Sequence, residues 1–304
     1  MMDSRKKRLY VLALTFPYVE KKLEVSTSFL AQGVPHMMEP FLQEQLIAKS
    51  SHAPLFSLGG HLIRVVLELA QKGFFCELIG KVGEDAAANF YATCLKRVDV
   101  NSELLKSAMP TSQVLTLVSP ESNKMQSAYL GASLELDALD LKPEYFNGLD
   151  VLFLDANSLL WGYLPLKAIQ MAKKEGASIC FFLDSISDRL PYRSQIVTLL
   201  NDFVDIFVAE KEELEPFLNA TKFQMETFLK KRSKSALIFS NKEERCTLCS
   251  NQERNEISLK ENKLDPINGE DLWVSPLCEL FRKESLKAGY LEELLNLSPL
   301  KFNL

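Results

Sequence analysis

Glycine is scarce in this chain, with 12 residues in 304, roughly 4% where about 7% is usual. A protein that cradles phosphate in glycine-rich loops has few positions left to do it, so the places where glycine does stand carry information. Histidine is scarcer still. The three that exist (His36, His52, His61) lie far upstream of Cys246-Thr247-Leu248-Cys249, the one cysteine pair with metal-like spacing. A structural zinc site wants a second pair or nearby histidines, so this pair reads as strand residues and no metal is assigned to it. Long apolar runs are also missing, since no segment approaches the roughly 18 residues that span a bilayer. Basic residues 5–8 followed by apolar residues 10–14 start like a signal peptide, but Pro17 and Glu20-Lys21-Lys22 interrupt the run without a small-residue cleavage site. It reads as a first core strand. No membrane partner is expected, and the expected location is cytoplasmic. The six cysteines, scattered mostly through apolar stretches, fit buried thiols in a reducing compartment.

An excess of positive charge is absent too. Lys plus Arg total 35 against 40 for Asp plus Glu, a net charge of -5, which argues against a dedicated nucleic-acid binder and for a small-molecule partner. The one later basic cluster, residues 230–234, reads as a solvated helix end. What is present is an ordinary globular composition, 47% hydrophobic and 25% charged, in a length that suits one large α/β domain or two small ones. No repeat, low-complexity tract or linker divides it, so a single domain over residues 1–304 is expected.

From residue 151 onward strand-like and helix-like patterns alternate, as a parallel sheet covered on both faces requires. Strands are expected at 151–155, 179–184, 205–209 and 236–240, with helices at about 165–175, stopped by Gly176, and through 195–200. Asp155 and Asp184 end two of these strands. They stand where open α/β sheets place ligands, or they cap the loops or helices that follow. Earlier, residues 113–118 and 125–129 flank the turn-forming 119–123 and predict a hairpin. It is expected to belong to a small β lid built from parts of 15–45 and 108–132.

Leu58-Gly59-Gly60-His61 opens a helical pattern that stops at Gly73. Two glycines there let a ligand approach backbone N–H groups and the positive end of a helix. A strand at 74–79 follows, then Ile79-Gly80-Lys81-Val82-Gly83-Glu84-Asp85, a helix over 86–96 and a strand starting at 98–100. This ordered set resembles the ribokinase-like (phosphofructokinase B type) carbohydrate kinase family. The resemblance continues through Tyr129-Leu130-Gly131-Ala132, residues 183–188, residues 205–213 and Asp265-Pro266-Ile267-Asn268-Gly269-Glu270-Asp271. Residues 29–34 with Met37-Met38 look like its adenosine-kinase-like branch.

The resemblance implies an α/β, ribokinase-like doubly wound sandwich with a β lid, acting on a small-molecule sugar or nucleoside with ATP and Mg2+ if active, and with neither if not. Such proteins transfer the γ-phosphoryl group of ATP to a hydroxymethyl group, chiefly by positioning and electrostatic stabilisation. Carried onto this chain, the catalytic base falls on Asp271. The substrate glycines fall on Gly59 and Gly60, the N-terminal substrate Asp on Glu20, and the Asn after the glycine pair on Arg64. The magnesium motif falls on Glu210 and Glu213, with Glu210 where an Asn is usual. The Gly-Ala-Gly anion hole is Asn268-Gly269-Glu270, and the nucleotide-side segment after residue 238 has no glycine. A homodimer through exposed lid sheets is a further implication.

Two readings stay open. In one the chain is a divergent sugar or nucleoside kinase, with Glu270 either turned to solvent or joining Glu210 and Glu213 on magnesium. In the other it is a pseudokinase kept as a binding or scaffold protein, with Asp271 no more than a helix-start residue.

Overall fold

Every residue of the strand Tyr10–Leu14 is buried, which a strand reaches only when both faces of its sheet are covered. The same holds for Val151–Asp155, and these two strands lie side by side at the middle of the molecule. The computed structural model describes residues 9–31, 33–50, 52–183, 192–230, 234–240, 245–250, 254–258 and 277. Asp184, Asn268, Gly269, Glu270 and Asp271 lie outside the described residues.

In chain order the first series of elements is β1 (Tyr10–Leu14), β2 (Tyr18–Glu24), α1 (Thr27–Leu30), α2 (Pro40–Ala48), β3 (Leu55–Gly59) and α3 (His61–Gln71), then β4 (Phe75–Val82), α4 (Ala86–Arg97), β5 (Asn101–Lys106), β6 (Ser112–Val118) and β7 (Lys124–Tyr129). Short 3₁₀ turns lead into the second series. It comprises β8 (Val151–Asp155), α5 (Leu164–Lys174), β9 (Ser178–Leu183), α6 (Arg193–Asp202) and β10 (Ile206–Glu210), followed by α7 (Lys211–Thr221), α8 (Met225–Leu229), β11 (Ser235–Ser240), β12 (Arg245–Ser250) and β13 (Arg254–Ser258).

Among the described residues the strands form two sheets. The larger has nine strands in the order β13-β12-β11-β10-β9-β8-β1-β4-β5. Its pairs from β11 through β5 are parallel, and only β12 and β13 join it antiparallel. Successive side chains of β1 divide between two cores. Tyr10, Leu12 and Leu14 pack with residues of α5, α6 and α7, while Val11 and Ala13 pack with residues of α3 and α4. The sheet is therefore wound with helices on both faces, the α/β architecture expected from the alternating pattern. β1 pairs with β4 on one side and β8 on the other, so the chain builds outward one way, then returns to build the other. Such a reversal leaves a crevice at the carboxyl ends of the two central strands.

The second sheet has four strands in the order β3-β2-β6-β7. β2 and β6 run parallel, and the outer pairs are antiparallel. β6 and β7 are the hairpin read from the sequence, in the register Gln113↔Tyr129 to Val118↔Lys124. One face of this sheet, carrying Leu23, Leu115 and Leu117, is covered by Leu30 of α1 and by the partly buried Leu46 and Ile47 of α2.

Three local features depart from the sequence reading. β4 runs on through Gly80 and Lys81 to Val82, because a strand buried on both faces tolerates glycine where a neighbour crosses closely. Residues 98–100 form a turn, with Asp99 at φ 57°, and β5 starts at Asn101. Lys234 is buried rather than solvated. Its Nζ donates to the carbonyls of Leu200 and Asn201 at 2.7 and 2.9 Å, completing the carboxyl end of α6 as a cation does well. Cys246 and Cys249 lie on β12, as expected of strand residues, and an odd spacing sends them to opposite faces. Cys249 joins the α5–α7 core and Cys246 the α3–α4 core, so the pair cannot share a metal.

Candidate functional site

The two sheets are tied together beside the crevice, and the glycines of the Gly-x-Val-Gly-x-Asp stretch make the tie possible. A Cβ on Gly80 would stand 2.3 Å from Pro17 Cγ, where the chain passes from β1 to β2. One on Gly83 would stand 2.6 Å from Met109 O and 2.8 Å from Thr111 N, where it enters β6. Asp85 then locks this crossing. Its carboxylate accepts from Ala88 N at 2.8 Å, which caps α4, and from Thr111 N and Thr111 Oγ1 at 2.7 Å each. Thr111 Oγ1 in turn accepts from Gly83 N at 3.0 Å. Partial burial alone would raise the Asp85 pKa, but these hydrogen bonds outweigh it and hold the carboxyl below the usual range.

A second tie lies a few residues away. Ser133 Oγ donates to Pro17 O at 2.8 Å and meets Ser112 Oγ at 2.7 Å. Trp161 Nε1 donates to Ser133 O at 2.6 Å, and the Trp161 ring stacks on Phe16 with centroids 5.3 Å apart. Both strands that carry the chain into the small sheet are thus fixed at their base.

Above these ties the small sheet turns polar side chains outward from one face. Glu20 stands on β2, beside β3 and the Gly59–Gly60 turn, because the β2–β3 register sets Glu20 against Ser57 and Tyr18 against Gly59. Glu20 Oε1 accepts from Thr116 Oγ1 at 2.7 Å, and Gln126 Nε2 donates to Thr116 Oγ1 at 3.1 Å. Glu20 Oε2 lies 3.9 Å from Arg64 Nη2, an ion pair longer than a hydrogen bond. Arg64 reaches this point from the first turn of α3, which starts directly after Gly60 at φ 102°. Four residues singled out in the sequence (Glu20, Gly59, Gly60 and Arg64) are therefore gathered in one place, and Thr116 and Gln126 join them from the hairpin.

Asp155 closes β8 at the crevice. Its carboxylate accepts from Ser158 N at 3.1 Å and caps the turn that follows, the second of the two roles open to it from sequence. Burial pushes its pKa up to about 6, against hydrogen bonds from Ser158 and Asn157 that lower it.

Glu210 ends β10 and is the residue from which α7 starts, with Glu212 and Glu213 in its first turn. Sequence reasoning chose Glu210 and Glu213 and passed over Glu212. Yet Glu212 is the one held against the end of β11, its Oε1 accepting from Ser240 Oγ at 3.3 Å. Its Oε2 is buried and has no hydrogen-bond partner among the described residues. A buried carboxylate oxygen without a partner fits a hard cation such as Mg2+, which takes one or two carboxylates and fills its remaining positions with water and phosphate. Among the described residues no group of three acidic, histidine or cysteine side chains is arranged to hold a metal by itself, and none is long and apolar enough as a helix to cross a membrane. Tyr18 was also missed. Its ring lies over Gly59 and Gly60, and only the β2–β3 register places it there.

Comparison with known proteins agrees with this architecture. A model of the pfkB family carbohydrate kinases matches residues 44–265. Adenosine kinase from Schistosoma mansoni, in complex with 2-fluoroadenosine, superposes with a TM-score of 0.74 at 14% identity, covering 92% of this chain and 91% of that one. Adenosine kinase from Sinorhizobium meliloti gives 0.69 at 20% identity, over 83% and 80% of the two chains. A probable sugar kinase protein from Rhizobium etli CFN 42 gives 0.69 at 20% identity, over 83% and 79%. No curated protein matched the chain.

Proposed function

This chain belongs to the pfkB family of carbohydrate kinases, and from that premise we propose that it is a divergent sugar or nucleoside kinase, using ATP with Mg2+ to phosphorylate a hydroxyl group. The observation that carries the reading is the gathering of Glu20, Thr116 and Arg64 beside the Gly59–Gly60 turn. A carboxylate with one oxygen anchored by Thr116 and the other 3.9 Å from the Arg64 guanidinium suits a polyhydroxylated ring. The four-stranded sheet acts as the lid that carries these groups. By the family resemblance, Asp271 takes the role of accepting the proton of the attacking hydroxyl, and Asn268, Gly269 and Glu270 take the anion-hole positions. Glu210 and Glu213, joined by Glu212, would hold Mg2+, whose part is to neutralise charge on the phosphates. The five described cysteines, free and mostly buried, are in keeping with a cytoplasmic protein. The open edge of β3, where Leu55 and Phe56 are exposed, supports pairing of two copies through the lid.

Thermal-shift titration with Mg-ATP beside a panel of sugars and nucleosides tests the reading. Stabilisation by Mg-ATP and by at least one panel member is expected, with turnover that Asp271→Asn abolishes. A second reading, a pseudokinase that binds small molecules without transferring phosphate, is favoured by Asn268 and Glu270 at the anion-hole positions and by the glycine-free segment after residue 238. A carboxylate about 4 Å from a phosphate charge is repelled by up to roughly 4 kcal/mol at an effective dielectric of 20. Under that reading the double variant Asn268→Gly, Glu270→Gly binds ATP more tightly than the native chain in calorimetry. Weaker binding by the double variant removes it.

A further inference from the structure

A glycine pair at the start of a helix is read as room left for a ligand, but in this molecule part of that room is taken. A Cβ built on Gly59 would lie 1.7, 2.1 and 2.4 Å from Tyr18 Cε2, Cδ2 and Cζ, and one on Gly60 would lie 3.5 Å from Tyr18 Cε1. Tyr18 and Gly59 face each other directly across β2 and β3, so the ring lies flat on the glycine backbone at contact distance. No ligand atom can approach Gly59 from the face that the ring fills. Tyr18 is half-buried rather than enclosed, and on the same strand face, two residues on, stands Glu20 with Thr116 and Arg64 around it.

We infer that Tyr18 determines specificity at this site: its ring replaces the bare face of Gly59 as the contact surface and selects a substrate that carries a stacking ring, a nucleoside rather than a bare sugar. The inference rests on the substrate site proposed above. A bare sugar binds through hydrogen bonds to its hydroxyls and gains little from an apolar ring face. A nucleoside gains more. Its ribose hydroxyls still meet Glu20 Oε2, which lies beyond hydrogen-bonding distance of Arg64 at 3.9 Å, and its base gains an aromatic face, a contact every base can use.

Calorimetry with adenosine and with D-ribose as the two probes tests this on the native chain and on Tyr18→Ala, Tyr18→Phe, Tyr18→Leu and Glu20→Gln. Tyr18→Ala should lower the affinity for adenosine about tenfold to a hundredfold and leave that for ribose within about twofold. Tyr18→Phe should keep both. Tyr18→Leu keeps a bulky cover on the glycines and should lose adenosine selectively even if the alanine variant folds poorly. A merely structural role for Tyr18 predicts equal losses for both probes, and that result overturns the inference, as does unchanged or tighter adenosine binding in Tyr18→Ala. Adenosine binding that Glu20→Gln weakens and no Tyr18 variant alters overturns the inference alone. If the native chain binds neither probe, the substrate-site reading fails and the inference falls with it.

Discussion

The nine-stranded sheet and the four-stranded sheet solve burial differently. In the larger one the interior is apolar on both faces: Phe153, Phe181, Phe182, Phe207 and Val208 are all buried, and Phe153 meets Phe182 edge-on with centroids 5.2 Å apart. In the smaller one the covered face mixes leucines with Lys21, Gln113 and Ser127, all buried. Helix α2 buries Gln43 against that face while Phe41 and Leu42 are exposed. Gln43 Nε2 reaches Met38 O and Ser127 O only at 3.4 and 3.3 Å, and Gln43 Oε1, Gln113 Oε1 and Ser127 Oγ have no partner among the described residues. Lys21 is neutralised by Glu44, a mostly exposed carboxylate. Unpartnered buried polar atoms cost about 1–3 kcal/mol each, so the small sheet holds its cover weakly where the large sheet holds its helices firmly. A firmly packed large sheet and a loosely covered small one suit the role of lid proposed for the latter.

The contrast breaks most visibly in the large sheet. Phe153→Ala should destabilise the whole protein by about 3–5 kcal/mol, the range for emptying a fully buried aromatic position, read as a drop in the urea midpoint. Asp155→Asn, at the edge of the same sheet, should act in the opposite direction and only above mildly acidic pH. The folded pKa of Asp155 is raised to about 6 from 3.8, so the native state holds that proton more tightly than the unfolded chain does. Its carboxyl costs nothing below about pH 4, costs progressively more as pH rises toward 6, and exacts the full penalty above that. That difference corresponds to about 3 kcal/mol. The variant should therefore gain up to about that much at pH 7.5 and nothing at pH 4 in paired denaturation curves.

Between the sheets, Gly83→Ala should cost about 1–3 kcal/mol, because the atoms its Cβ would strike, Met109 O and Thr111 N, are backbone and yield poorly. Exchange of the β6 amides should rise with it. The smallest effect belongs to the small sheet. Ser127→Ala removes a buried hydroxyl without a partner among the described residues and should be neutral or stabilising by up to about 1 kcal/mol, where the same change at Ser133, whose hydroxyl is bonded at 2.7 and 2.8 Å, should destabilise.

The contrast also explains what could be read in advance. Strands buried on both faces print continuous apolar runs, so β1, β8, β9, β10 and β11 were legible from residue type alone, and the β6–β7 hairpin was legible from its turn. Lys234 was not, since no local signal separates a lysine that caps a distant helix from one in solvent. Tyr18 escaped for a similar reason: it acts through Gly59, 41 positions away in sequence and opposite it in register. Glu212 was hidden by its neighbours, because three glutamates in four positions look alike until the fold turns one of them against Ser240. The glycine spacing of residues 80–85 did lead to the right fold, although its visible work here is to let two chain crossings pass close together.

Hydrogen exchange followed by mass spectrometry, with and without adenosine and Mg-ATP, tests the contrast between the two sheets, and the proposed lid, most directly. Amides of β2, β3, β6 and β7 should exchange through local opening well before those of β1, β8, β9 and β10, and adenosine should slow the former while leaving the latter unchanged. Equal protection of the two sheets in the free protein, or protection by adenosine confined to the nine-stranded sheet, would contradict the account.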